Sequence, residues 1–332
     1  MAREPEVLAL VGATGTGKTA VSLALARHLD LEVVCGDSRQ LYAELDAATG
    51  KPTAAERAVA PHHLFDALGV TDAASAGGYA RAAAPVLAGI RRRGRVPLVV
   101  GGTGLYLKAL YRGLAPVPDI PATIREAVRA ALAAHGPERL HAELAEHDPE
   151  LARRLAPRDG QRVARALEVA RATGRPLSAW QREPRDAPFG GVERWHLVEL
   201  RLPRPALRRR LDGRTRGFFA EGLLEETRAL LARGVPRTAP GLSSLGYAEA
   251  ARHLLDGVPL ERALAQAQAA TRRYAKRQET WWRHEGPRAA LVTLDILEGE
   301  AAEAIARRVL ASWRERALTG GGPAPTVASQ TV

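Results

Sequence analysis

Eight consecutive residues of this 332-residue chain could hold a phosphate chain. Gly12-Ala13-Thr14-Gly15-Thr16-Gly17-Lys18-Thr19 fits the spacing G-x-x-x-x-G-K-[ST]. Glycine at these positions lets backbone N–H groups converge on phosphate oxygens without β-carbons in the way. Lys18 adds a full positive charge, and the Thr19 hydroxyl is placed to ligate Mg²⁺. A helix starting at the loop would add positive potential. The loop alone does not name a reaction. Enzymes that transfer or hydrolyse a γ-phosphate usually carry an acid at the end of another strand to hold the metal. Here the strand leading to Gly101-Gly102-Thr103 ends without one, and the acid follows the second strand, at Asp37. That pattern suits a small-molecule kinase and also another class of transferase.

The surrounding periodicity predicts what positions these groups. Residues 7–11, 31–35 and 96–100 are short, continuous apolar runs, as in strands buried on both faces of a parallel sheet. Helical spacing follows at 19–28, 78–93 and from about 105. Strands alternating with helices predict an α/β fold, a P-loop NTPase-like parallel sheet flanked by helices. Residues 118–194 show only helical periodicity, with Val163, Leu167 and Ala170 on one face of a helix over 162–172. We read them as a helical insertion domain. Residues 195–202 read as a returning strand, 204–233 as one long helical region, 260–284 as another helix and 291–296 as a last strand. The catalytic core is thus expected in 1–117 and 195–317, with a disordered tail at 318–332. On the 260–284 helix the apolar stripe is expected to run through Leu260, Leu264, Ala267, Ala270, Tyr274, Gln278 and Trp281.

Composition narrows the setting. Cys35 is the single cysteine, which excludes an internal disulfide and a cysteine-based metal site. No apolar run of 18 residues exists, and the first residues do not read as a signal peptide. A cytoplasmic protein without a membrane partner is expected, by default a monomer. The net charge of +11 attracts polyanions, nucleic acid first among them. Arginine supplies 44 of the 48 basic side chains, so part of this charge reflects a bias of the whole chain.

An ordered series of further blocks decides between the transferases. Asp37-Ser38-Arg39-Gln40-Leu41-Tyr42 is followed by Lys51-Pro52-Thr53, Pro61-His62-His63-Leu64, Gly101-Gly102-Thr103-Gly104-Leu105-Tyr106 and Gln161 to Glu168. Leu245-Gly246-Tyr247 and Lys276-Arg277-Gln278-Glu279-Thr280-Trp281 complete it. Over roughly residues 5–300 the series resembles the tRNA dimethylallyltransferase family, also called tRNA isopentenyl pyrophosphate transferases. The chain departs from the family pattern at Ala48-Thr49-Gly50, where the family usually has Gly-Thr-Ala, in the shorter 72–79 segment, and at Phe218-Phe219.

The resemblance implies transfer of a five-carbon group from dimethylallyl pyrophosphate to N6 of the adenosine 3′ to the anticodon. The phosphate loop, Gly12 to Thr19, would then hold the pyrophosphate leaving group. Asp37 would be the general base, and Thr103 would hold the amine or a donor oxygen, with helix capping as its alternative role. Asp37 could instead serve a metal. The family places a catalytic arginine in 201–216; Arg214 fits best by spacing, and Arg210 is the runner-up. The tRNA anticodon stem-loop would meet Asp37, Ser38, Arg39, Gln40 and Thr103 at the extracted base. Flanking nucleotides would meet Gln161, Arg162, Val163, Ala164, Arg165, Ser244, Gly246 and Tyr247. Arg125, Lys276, Arg277, Gln278 and Arg283 complete the expected RNA contacts. The alternative is an adenylate isopentenyltransferase acting on free AMP, ADP or ATP. The basic helices and the insertion argue against it, because a free nucleotide needs no such surface. A kinase would leave the 37–42 and 276–281 blocks unexplained, and the intact Lys18, Thr19 and Asp37 argue against a non-catalytic RNA binder.

Overall fold

The computed structural model describes residues 6–319 of the protein. Of the tail expected at 318–332, residues 318–319 still belong to the last helix, and those from 320 on lie outside the described residues. Two compact units emerge, one from residues up to Arg112 together with those from Pro188 on, the other Gly113–Ala187. The insertion therefore starts and closes earlier than its helical periodicity suggests. Phe189 belongs to the first unit because its N–H donates to the Leu110 carbonyl at 3.2 Å and its ring meets Trp195 edge-on.

The first unit is built on a six-stranded parallel sheet in the order β3-β2-β4-β1-β5-β6. The strands are β1 Val7–Val11, β2 Leu31–Cys35, β3 His62–His63, β4 Val96–Gly101, β5 Trp195–Arg201 and β6 Leu291–Asp295. Each residue of β1 and β2 is buried, since helices cover both faces. The helices before the insertion are α1 Lys18–Leu25, α2 Ala54–Arg57, α3 Ala76–Arg92 and α4 Gly104–Tyr111. The insertion holds α5 Ala122–His147, α6 Pro149–Arg154, α7 Gly160–Thr173 and α8 Leu177–Arg182. After β5 come α9 Arg204–Ala220, α10 Leu223–Ala232, α11 Tyr247–Asp256, α12 Leu260–Glu285 and, after β6, α13 Ala302–Thr319. The expected single helical region over 204–233 is two helices. Gly222, at φ 103°, separates them in a left-handed conformation that side chains rarely tolerate.

Leu8, Leu10, Leu25, Leu98, Val198 and Leu207 form the centre of the main core, and each such buried side chain contributes about 1.5–3 kcal/mol. A second core gathers Tyr42, Leu45, Phe219, Leu223, Leu242 and Tyr247. The insertion has its own, around Val128, Leu140, Leu144, Leu151, Val163 and Leu167. No helix among the described residues is long and apolar enough to cross a membrane.

At the end of the sheet away from the phosphate loop, β2 buries one carboxylate. Glu32 accepts hydrogen bonds from Arg93 Nε at 2.8 Å and Nη2 at 2.6 Å, and from Arg95 at 3.3 Å, and pairs with His63 Nε2 at 2.6 Å. The Arg93 bonds, helped by His63 and Arg95, outweigh burial and hold its pKa at about 2. A folded pKa below the ordinary carboxylate value stabilises above that value and is lost as pH falls through it toward 2. Glu32→Gln should therefore cost roughly 2 kcal/mol at neutral pH, a modest figure because half of Arg93 is exposed. Urea unfolding should show the gap between variant and wild type closing below pH 4.

Candidate active site

In a parallel sheet all strands end on one edge, and open α/β sheets bind ligands there. β1 delivers the phosphate loop to that edge, β2 delivers Asp37, β4 delivers Gly102 and Thr103, and β5 leads into α9. Gly12 (φ 132°) has no room for a side chain, because a β-carbon would stand 2.5 Å from the Leu200 carbonyl oxygen. Gly17, at φ 91°, opens α1.

α9 sets its arginines by packing. Leu207 and Leu211 bury against Gly15, where a β-carbon would lie 2.7 Å from Leu211 Cδ2. Residues three or four apart share a helix face, so Arg210 and Arg214 follow Leu207 and Leu211 onto the loop. The Arg210 guanidinium stands 3.7 Å from the β-carbon position of Gly17. Arg214 Nη1 donates to Thr14 Oγ1 at 3.4 Å, and its guanidinium stacks over Phe218 at 5.0 Å and covers Gly50. Burial lowers the Arg214 pKa, with the Asp37 charge opposing and Arg210 adding to the fall. Burial likewise drops Lys18 to about 8, against the attraction of Asp37 and with repulsion from Arg214. Lys18 Nζ donates to the Gly12 and Ala13 carbonyls at 3.0 and 2.8 Å. Lys18 and Arg214 thus share the field of one acid, with Arg210 adding positive charge beside Arg214, a balance that favours an anion.

Asp37 Oδ1 accepts the Arg39 N–H at 2.9 Å, which fixes the carboxylate beside the cleft. Thr103 stands at the N-cap position of α4, yet its side chain caps nothing. Its hydroxyl oxygen accepts the Ser38 N–H at 3.0 Å and meets the hydroxyls of Ser38, at 3.3 Å, and Tyr274. Thr103 therefore ties the Asp37 segment to the end of β4. Beyond the charged groups, Leu211, Phe218, Phe219, Leu223 and Leu245 line the same cleft. The sequence reading overlooked this apolar end, although Leu211, Thr215 and Phe218 at helical spacing were its signal.

The expected RNA contacts divide. Lys276, Arg277 and Arg283 are exposed on α12, and Arg277 lies over the Tyr274 ring. Ser244 and Gly246 line the cleft, and Ser244 Oγ accepts from Arg39. Within the insertion, Arg125, Gln161, Arg162 and Arg165 are exposed and Ala164 is half-buried. Three expectations, at Val163, Tyr247 and Gln278, need correction. Val163 is a fully buried core residue of α7, because it shares its apolar face with Leu167. Tyr247 is fully buried; its hydroxyl bonds Glu226 and accepts the Ala48 N–H at 3.2 Å, bracing residues 46–48. Gln40, half-buried, is not among them: its Nε2 donates to the Thr49 and Gly50 carbonyls, at 3.1 and 2.8 Å. Gln278 is buried, and its Oε1 accepts the Thr14 N–H at 2.8 Å, so it faces the phosphate loop and not RNA. The apolar stripe of α12 keeps Ala267 and Gln278 on its buried face but is displaced by one residue elsewhere. Ala263, Ala267, Ala275 and Trp282 are buried, while half-buried Trp281 lies on Gly104, where a β-carbon would meet its ring at 2.1 Å.

Reasoning from loops and charge runs also missed Glu226 and Lys51. Glu226 accepts the backbone N–H groups of Asp46 and Ala47. Lys51 Nζ, buried, reaches the Tyr42 carbonyl, Asp46 and Asp66. Together they hold residues 46–52 against Arg214. Among the described residues no cluster of three His, Cys, Asp or Glu side chains could hold a metal.

Comparison with known proteins bears on this arrangement. Residues 40–285 match the family model described as IPP transferase, and residues 5–63 the one described as isopentenyl transferase. A tRNA dimethylallyltransferase of Phenylobacterium zucineum is 44% identical over 90% of this chain and 95% of its own length. The crystal structure of a full-length tRNA isopentenylpyrophosphate transferase from Bacillus halodurans superposes with a TM-score of 0.67 at 31% identity, covering 95% of this chain and 99% of that one. A eukaryotic dimethylallyltransferase acting on tRNA gives 0.76 at 25% identity over 93% and 78% of the two chains.

Proposed function

This chain belongs to the IPP transferase family, and from that premise we propose that it transfers a dimethylallyl group from dimethylallyl pyrophosphate to N6 of the adenosine 3′ to the anticodon in tRNA. One observation carries the reading: a single cleft is lined by Thr14 of the phosphate loop, Arg214 and Asp37 together with the apolar side chains of Leu211, Phe218, Phe219 and Leu223. Such a cleft suits a donor that is pyrophosphate at one end and hydrocarbon at the other.

Leu211, Phe218, Phe219 and Leu223 hold the five-carbon chain. The loop amides, Lys18 and Arg214 receive the negative charge that collects on the leaving pyrophosphate as the allylic C–O bond breaks; electrostatic stabilisation of this kind is commonly the largest catalytic contribution. The N6 lone pair forms the new C–N bond, and Asp37 accepts the proton that N6 loses. Thr103, bonded to Ser38, keeps that segment in place and presents its hydroxyl to the amine. Mg²⁺ fits this site in one way. With no carboxylate cage, it would bind the half-exposed Thr19 hydroxyl together with donor phosphate oxygens and water, a set this ion commonly accepts. Bound there, it would neutralise pyrophosphate charge.

The adenine must leave the anticodon loop to reach Asp37. Lys276, Arg277 and Arg283 contact RNA phosphates, and the insertion contributes Arg125, Gln161, Arg162 and Arg165. With about six such contacts, tRNA affinity should fall on the order of 10³-fold between about 50 and about 200 mM salt. Filter binding measures this, and a flat response would contradict the basic-surface reading. We place the enzyme in the cytoplasm as a monomer. The test of activity is radiolabelled dimethylallyl pyrophosphate with Mg²⁺ and either unmodified tRNA or AMP. Label is expected on tRNA. Label on AMP alone would make the chain an adenylate isopentenyltransferase, and ATP turnover without label transfer a kinase.

A further inference from the structure

Gln278 is buried behind the phosphate loop and outside the reacting groups. Its Oε1 accepts the Thr14 N–H, which fixes the sense of the amide, since a flip would set two donors against each other. Nε2 therefore faces Gly102. It is buried, and has no hydrogen-bond partner among the described residues. The space left by the missing Gly102 side chain is bordered by this nitrogen and by one acceptor. A β-carbon there would stand 2.2 Å from Nε2 and 3.0 Å from the Gly12 carbonyl oxygen. That oxygen is held by Lys18, at 3.0 Å. The neighbouring Ala13 oxygen has a second donor, the Thr16 hydroxyl at 3.0 Å. The Gly12 oxygen has no second donor among the described residues.

The cation needed by the leaving group is thus engaged with the loop's own carbonyls. Once Lys18 turns to an anion, Ala13 keeps a partner and Gly12 loses its own. A buried carbonyl left unpaired would oppose the movement. We propose that Gln278 is a positioning residue of the phosphate loop: Oε1 anchors Thr14, and Nε2 takes over the Gly12 carbonyl when Lys18 swings to the pyrophosphate. The inference rests on the reading that this loop binds pyrophosphate.

Two variants test it. Gln278→Glu keeps the acceptor for Thr14 and removes the donor; Gln278→Met removes both without adding charge. Titration calorimetry with inorganic pyrophosphate and Mg²⁺ should show the Kd rising at least about tenfold in each, while the Kd for an anticodon stem-loop RNA stays within about twofold. In turnover, the donor KM should rise while kcat changes less. The decisive arm repeats both variants in a Lys18→Ala background. There the Gly12 carbonyl is free throughout, so the Gln278 substitutions should cost little further pyrophosphate affinity. Equal losses in both backgrounds, or a parallel loss of RNA affinity, would mark Gln278 as a merely structural or RNA-contacting residue and overturn the proposal. If Gln278→Glu does not fold, Gln278→Met carries the same comparison. A wild-type protein that binds RNA but not pyrophosphate would overturn the donor reading itself.

Discussion

Asp37→Ala should lower kcat for transfer to tRNA by about 10²–10⁴ while pyrophosphate affinity stays near wild type. The range is what a positioned general base contributes. The site gives the reason for the separation. Asp37 faces Lys18 and Arg214 across the cleft but supplies none of the loop's donors, and its Oδ1 is held by the Arg39 N–H. Removing it leaves the pyrophosphate grip standing and the N6 proton without an acceptor. Asp37→Asn should behave alike, because the amide keeps the shape and the Arg39 bond but not the basicity. Single-turnover assays with saturating donor separate chemistry from binding. A large loss of pyrophosphate affinity in either variant would assign Asp37 to the metal instead.

For the arginines, Arg214→Gln should reduce kcat by about 10²–10³, the usual effect of removing one donor that meets transition-state charge. Arg210→Gln should mainly raise the donor KM. The two side chains lie one turn apart on α9 but face different parts of the site. Arg214 touches Thr14 and stacks on Phe218, where the phosphate loop adjoins the apolar wall. The C–O bond of a donor spanning that junction would break beside it. Arg210 lies over Gly17, at the start of α1, where it would meet the pyrophosphate away from the breaking C–O bond. Arg214→Lys should recover only part of the activity, since an ammonium cannot both stack on Phe218 and offer the planar fork. The same kinetic pattern in both variants would mean that the two arginines share one role.

Local rules reached far into this chain. The spans of β1 and β2 were legible to the residue, and β4 nearly so, because a strand covered on both faces writes itself as an unbroken apolar run. The phosphate loop was legible because its glycines, lysine and threonine act through their own backbone and neighbours. β3 was not, being a two-residue pairing that no period can show. The break between α9 and α10 rested on Gly222 alone. The buried stripe of α12 was legible at Ala267 and Gln278 but displaced by one residue at Ala275 and Trp282, because what faces this end is not an apolar layer but Gly104, Gly102 and Thr14. The helical period put Gln278 on the buried face, but it could not show that the side chain holds a loop.

The sequence by itself thus determined the glycine-rich loop at Gly12–Thr19, the parallel sheet that carries it, the acid at Asp37 and the family. Those features depend on contiguous residues, or on blocks whose order identifies them. Tertiary structure decided which arginines meet the loop, which apolar side chains line the cleft and which residues of each block face inward. Arg214 reaches Thr14 across 200 positions, and Gln278 reaches it across 264. Such pairings follow from how whole helices pack, and helix packing is set by the side chains between them, not by the motif in which either partner sits.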